Sequence, residues 1–223
     1  MAYFCSRSAI INHVKSLDAH ENQMVAFYFF DFRDAFKQSF NNLVSTLLSQ
    51  LSSSTMLQKE IYLAISKLYD NHEKLRSKPS ERDLIGTLKE VISVVKVEAL
   101  FIIIDGLDEM GNQGFMPFFQ LIEELKILAC SHLHLLIASR PHISYAHELE
   151  QLCSKTICIE KEDVNADVAI FLADTMKNDR TFRHHGLEAK NQIIDSLTRR
   201  ADGMFRWVDC QLVALRPCIG LNN

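Results

Sequence analysis

Phe101-Ile102-Ile103-Ile104 is an apolar, mostly β-branched run that ends abruptly in Asp105-Gly106-Leu107-Asp108-Glu109, three carboxylates around a glycine. A run that is apolar on both faces fits a parallel strand covered by helices on each side. That requirement points to an α/β architecture. Carboxylates just past the C-terminal end of such a strand stand at the edge where open α/β sheets bind ligands.

The rest of the chain agrees with an α/β reading. Apolar positions 10, 11, 14 and 17 form a helical stripe over 8–17, and 24–30 reads as a strand ending in Asp31-Phe32-Arg33-Asp34. Phe40, Leu43, Val44, Leu47, Leu48 and Leu51 recur at amphipathic-helix spacing. A Ser-rich turn then leads to a helix over 57–69. Ser80 and Asp83 match a helix N-cap and its N3 partner, opening a helix that carries Leu84, Leu88, Val91, Ile92 and Val95. After the acidic strand end, a Gly-containing loop precedes a helix over 117–130. A second buried strand over 133–139 is closed by Arg140-Pro141, and a shorter strand is expected at 155–160. Beyond that the alternation stops, and helices are expected over 165–178, 187–200 and 203–215. The change of texture divides the chain into an α/β core over 1–160 and a helical subdomain over 161–223.

With 48% hydrophobic and 23% charged residues, the 223-residue chain has an ordinary globular composition. A formal net charge of −4 argues against a general nucleic-acid surface. No apolar run approaches the roughly 20 residues of a spanning helix, so no membrane segment is expected. The cysteines, at 5, 130, 153, 158, 210 and 218, form no Cys-x-x-Cys pair, which favours free thiols in a reduced, cytoplasmic setting.

The chemistry concentrates at strand ends. Asp105 is the candidate magnesium ligand, because a carboxylate there can hold the ion that neutralises nucleotide phosphates. Asp108 and Glu109, one turn on, are candidates to orient or deprotonate an attacking water. Ser139 and Arg140 close the next strand, where a polar residue and a guanidinium can meet a γ-phosphate and stabilise transition-state charge. The charges of Asp31-Phe32-Arg33-Asp34 are expected to pair with one another. Trp207 lies on an apolar helical face and is expected in a core. His184, His185 and a cysteine have poor spacing for zinc.

Four segments together resemble the NACHT domain of fungal STAND-class P-loop NTPases, in the nephrocystin-3-like N-terminal type often joined to ankyrin repeats. They are 25–34 (Val-Ala-Phe-Tyr-Phe-Phe-Asp-Phe-Arg-Asp), 102–109, 133–141 and 201–208 (Ala-Asp-Gly-Met-Phe-Arg-Trp-Val). The resemblance implies an α/β parallel-sheet P-loop NTPase core of the ASCE/STAND type, strand order 5-1-4-3-2, followed by a small helical domain. It implies ATP or GTP with Mg2+, and nucleotide-dependent assembly as a homo-oligomer or with full-length NACHT relatives. In fungi such proteins are linked to self/non-self recognition and programmed cell death. By motif match, Asp105 in the Walker B element is the magnesium ligand, Asp108 and Glu109 are the water-activating acids, and Arg140 is the sensor.

One element of the family pattern does not occur in these residues. Gly-x-x-x-x-Gly-Lys-Ser/Thr is absent, and the first glycine is Gly86. The core is therefore expected to lack its first strand and phosphate loop, and the helical subdomain to be truncated at its C-terminal end. The leading expectation is a partial NACHT module with Walker B and sensor-like elements and lost or impaired hydrolysis. The alternatives are a non-enzymatic interaction or decoy module for full-length NACHT proteins, and a fragment of a longer active ATPase with a mis-assigned start.

Overall fold

A computed structural model describes residues 11–12, 22–53, 59–128, 130–141 and 144–220. The chain divides into two compact units, one of residues 7–155 and one containing 156–223.

The first unit is built on a parallel sheet of β1 (Gln23–Phe29), β2 (Ala99–Asp105) and β3 (Leu133–Ala138), in that spatial order. Phe27 stands opposite Ile103, which stands opposite Leu136. Parallel strands need crossovers, and helices supply them. Between β1 and β2 lie α1 (Phe40–Ser52), α2 (Lys59–Leu75) and α3 (Glu81–Val94); α4 (Phe115–Ile127) connects β2 to β3.

Every second residue of the sheet enters one core. Met24, Ala26 and Tyr28 of β1 and Leu100, Ile102 and Ile104 of β2 are buried with Leu43 and Leu47 of α1, Leu88 and Ile92 of α3, and Phe118 and Ile122 of α4. Each fully buried side chain of this size contributes about 1.5–3 kcal/mol. Tyr28 is the imperfect member: its buried hydroxyl finds no hydrogen-bond partner among the described residues, and burial pushes its phenol up to about 12.

Local sequence sets the helix limits. Ser80 Oγ accepts from Asp83 N–H while the Asp83 carboxylate takes Ser80 N–H, so the expected cap of α3 forms with Asp in place of the usual Glu. Helix α2 runs to Leu75, past the expected 69, because no breaker intervenes before Ser77-Lys78-Pro79. It ends where Arg76 turns left-handed (φ 47°) and Ser77 N–H reaches back to His72 O (3.1 Å). His72 also meets Ser77 Oγ at 3.0 Å and stands 3.4 Å from the Asp83 carboxylate, tying the end of α2 to the start of α3.

One expectation fails here. Residues 155–160 form no strand and are exposed throughout, with Ile157 and Ile159 at 75% and 79% exposure. A strand needs a hydrogen-bonded neighbour, and this segment has none among the described residues. Conversely, the short helix α5 (Ala146–Leu152) has too few turns to leave a periodic signal. The helix expected at 8–17 lies outside the described residues apart from Ile11 and Asn12, which are helical.

The second unit packs α6 (Lys161–Asn178), α7 (Leu187–Ala201) and α8 (Phe205–Gly220) around Val168, Leu172, Met176, Phe182, Leu197, Val208 and Leu212. Trp207 packs against this core as expected. The turn from α7 to α8 uses left-handed Asp202 and Gly203; Lys161 Nζ binds the Asp202 carboxylate (2.9 and 3.0 Å) and Asn165 accepts Gly203 N–H (3.1 Å). No helix among the described residues is long and apolar enough to cross a membrane. Cys130, Cys153, Cys158 and Cys210 are free thiols.

Candidate functional site

The C-terminal ends of β1, β2 and β3 line up along one edge of the sheet because all three strands run the same way. The apolar run of β2 therefore delivers Asp105 to the middle of that edge, with Asp31 after β1 on one side and Ser139-Arg140 after β3 on the other. Asp105 is the last residue of β2 and is half-buried; its C=O accepts Phe30 N–H (3.0 Å).

Gly106 makes the turn possible. Its φ is +72°, and a Cβ there would stand 3.3 Å from the Phe30 carbonyl oxygen. The chain then tightens into a single 3-10 turn, Leu107–Glu109, with Leu107 fully buried as its anchor. That turn points the two acids in different directions. Asp108 accepts Arg140 N–H at 3.2 Å through Oδ1 and meets Arg140 Nε at 3.3 Å through Oδ2. Glu109 instead accepts Phe32 N–H (3.0 Å) through Oε2.

The structure thus joins Asp108 to Arg140, two candidates that lie 32 positions apart in sequence. It separates Glu109 from both, using it to brace the loop after β1. Ser139 Oγ donates to the Arg140 carbonyl (3.2 Å), a local turn contact. Arg140 remains 68% exposed while Asp108 is only 13% exposed, so the guanidinium lies over a largely covered carboxylate.

In the loop after β1 the expected pairing of charges forms between Asp31 and Arg33 and leaves out Asp34. Arg33 grips Asp31 through two side-chain bonds (2.9 and 2.7 Å), and Asp34 caps the short helical turn Ala35–Gln38 by accepting Phe36 N–H (3.0 Å). The hydrogen bonds from Arg33 hold the Asp31 carboxyl well below the usual carboxylate range, and Asp31 in turn raises the pKa of Arg33. Sequence reasoning missed Gln38: its side-chain amide donates to the Phe32 carbonyl (2.8 Å), and its own carbonyl accepts Gly111 N–H (3.1 Å). With Glu109 it laces the β1 and β2 loops together. No local pattern reveals such a contact, because its partners come from two different strand ends.

Among the described residues no group of three or more His, Cys, Asp and Glu side chains could hold a metal ion. An open groove of about 540 Å³ lies elsewhere, between α3 and α4, lined by Arg82, Gly86, Lys89, Gln120 and Glu124, and contains none of the candidate residues.

No curated protein and no solved structure matches the chain. The family described as nephrocystin 3, N-terminal, matches residues 5–140. The matched span includes all three strands and ends at Arg140, so every candidate at the sheet edge falls inside it and the helices of the second unit fall outside. With more than half of its length matched, the chain belongs to the nephrocystin 3 N-terminal family.

Proposed function

We propose that the chain is a nucleotide-responsive module of the NACHT, STAND-type class of P-loop NTPases, with Walker B and sensor-like elements and with weak or no hydrolysis. The observation that carries this reading is the shared edge on which Asp105, the Asp108-Glu109 turn and Ser139-Arg140 stand, at the tips of adjacent parallel strands. The order of β1, β2 and β3 supports it, since it is the order implied for the second, third and fourth strands of such a core.

The donor set suits magnesium, a hard cation that takes one or two carboxylates and fills its octahedron with water and phosphate oxygens. Asp105 is the residue to hold it, and the ion supplies charge neutralisation at the β- and γ-phosphates of ATP or GTP. Arg140 is engaged with Asp108 through Nε, which leaves its terminal nitrogens as donors toward a phosphate oxygen. Turnover is expected to be poor for two reasons. The 223 residues contain no Gly-x-x-x-x-Gly-Lys-Ser/Thr cradle of backbone N–H groups. Asp108 and Glu109 are already committed to Arg140 and Phe32. Nucleotide-dependent assembly in the cytoplasm, as a homo-oligomer or with full-length NACHT relatives, belongs to the same reading.

Isothermal titration of the whole chain with ATP and GTP, with and without magnesium, tests it. The expected result is weak binding that needs magnesium and disappears in Asp105→Ala, whose circular dichroism matches the parent. Binding indifferent to both, or none at millimolar nucleotide, overturns the reading.

A further inference from the structure

Among the described residues, Arg33 and Arg140 both stand at the sheet edge, and the fold treats them differently. Arg33 is closed on Asp31, with Nε and a terminal nitrogen at 2.9 and 2.7 Å from the two carboxylate oxygens. That is the short, two-pronged geometry of a strong charge-assisted pair. Arg140 has a looser hold on Asp108. Its backbone N–H meets Oδ1 at 3.2 Å, and its guanidinium meets Oδ2 through Nε at 3.3 Å. A single contact of that length, from a side chain 68% exposed, belongs to the weak class of ion pairs.

The two parts of this contact differ in freedom. Arg140 N–H belongs to the main chain just past the end of β3, so it stays on Oδ1 whatever the side chain does. Asp108 is 13% exposed and sits in the single 3-10 turn that buried Leu107 anchors, so the carboxylate is held in place. The guanidinium is the part that can leave. When it does, Asp108 keeps its position and loses its counter-charge.

We propose that the Arg140–Asp108 contact is an anion-operated latch: a phosphate group arriving at the sheet edge draws Arg140 off Asp108 and uncovers the acid. The inference rests on the reading of this edge as a phosphate site and adds how that site is regulated. A phosphate oxygen meets the terminal nitrogens first, since Nε is the engaged one. Phosphate accepts two guanidinium N–H groups at once, so a two-pronged pair replaces one long contact. The coupling is reciprocal. Whatever attraction Asp108 exerts on Arg140, an arriving anion has to overcome, so the acid lowers the affinity of the site it belongs to.

The test is calorimetric titration of the whole chain with inorganic pyrophosphate without magnesium, using variants whose circular dichroism matches the parent. Asp108→Asn keeps an oxygen for Arg140 N–H and removes the charge that holds the guanidinium. It should tighten pyrophosphate binding roughly two- to fivefold, the span of a weak surface pair. Arg140→Gln should weaken binding by roughly tenfold. Added to Arg140→Gln, Asp108→Asn should have no further effect; tightening that persists there means plain charge repulsion and overturns the latch. Glu109→Gln removes a charge from the same turn without touching Arg140, and should change affinity less than Asp108→Asn. An equal change overturns the latch, as does Asp108→Asn binding no tighter than the parent, or no binding at millimolar pyrophosphate. Magnesium-dependent nucleotide binding with no response to Asp108→Asn sinks the latch and keeps the proposed function. The full latch response beside nucleotide binding indifferent to magnesium and Asp105 does the reverse.

Discussion

Gly106 is where residue chemistry bears most directly on the site. Its left-handed φ strains any residue with a side chain, and a Cβ there would crowd Phe30 O at 3.3 Å. Gly106→Ala is expected to cost roughly 1–2 kcal/mol, the penalty of a left-handed non-glycine residue, read as a lower urea midpoint at unchanged slope. A shift inside error would show that the turn relaxes. Asp31 gives a prediction in pH. Its folded pKa is depressed, chiefly by the side-chain hydrogen bonds from Arg33. The stabilisation it brings is therefore present above its unfolded value near about 4, and is lost only as pH falls through the lower folded value. In Arg33→Met the carboxyl should titrate back in the ordinary range, followed by its carbon NMR shift. An unchanged titration would mean that backbone N–H groups hold the charge. The acid at 105 and the small residue after it were legible in sequence because strand end and turn are local. The division of labour between Asp108 and Glu109 was not, since Arg140 and Phe32 reach them from other strands.

At the scale of elements, the helices were the most readable part. Apolar spacing located α1, α3 and α7, and the Ser80-Asp83 box marked the start of α3, because capping and amphipathicity are set within a few residues. Strand status is different in kind. Residues 155–160 have a strand-like composition and form none, whereas Leu133–Ala138 has its partner in β2 and pairs along its whole length. Gln50 of α1 shows how an element beyond the sheet can complete it: its amide accepts Phe27 N–H (2.9 Å) and donates to Phe27 O (2.8 Å). Gln50→Ala deletes both bonds to Phe27 and should destabilise the first unit by about 1–3 kcal/mol in chemical denaturation. It should also speed amide exchange at Phe27. An unaltered exchange rate there would mean that the edge is protected by something other than this side chain.

At the scale of the whole molecule, the two units have separate cores with no residue in common. Leu172 is fully buried in the helical one. Leu172→Ala should cost about 2–5 kcal/mol and accelerate amide exchange across α6, α7 and α8, while the strands of the first unit keep their protection. Equal loss of protection in β2 would show that the units unfold as one. The order and type of most elements, and the placing of Asp105, Asp108, Glu109 and Arg140 at strand ends, follow from periodicity and composition. These are properties of neighbouring residues, so the chain carries them wherever it goes. Which acid meets the arginine, which strand finds a partner and which strand edge Gln50 closes depend on groups that sequence holds dozens of residues apart. Such pairings exist only once the backbone ladders form, and the folded arrangement of β1, β2 and β3 settles them.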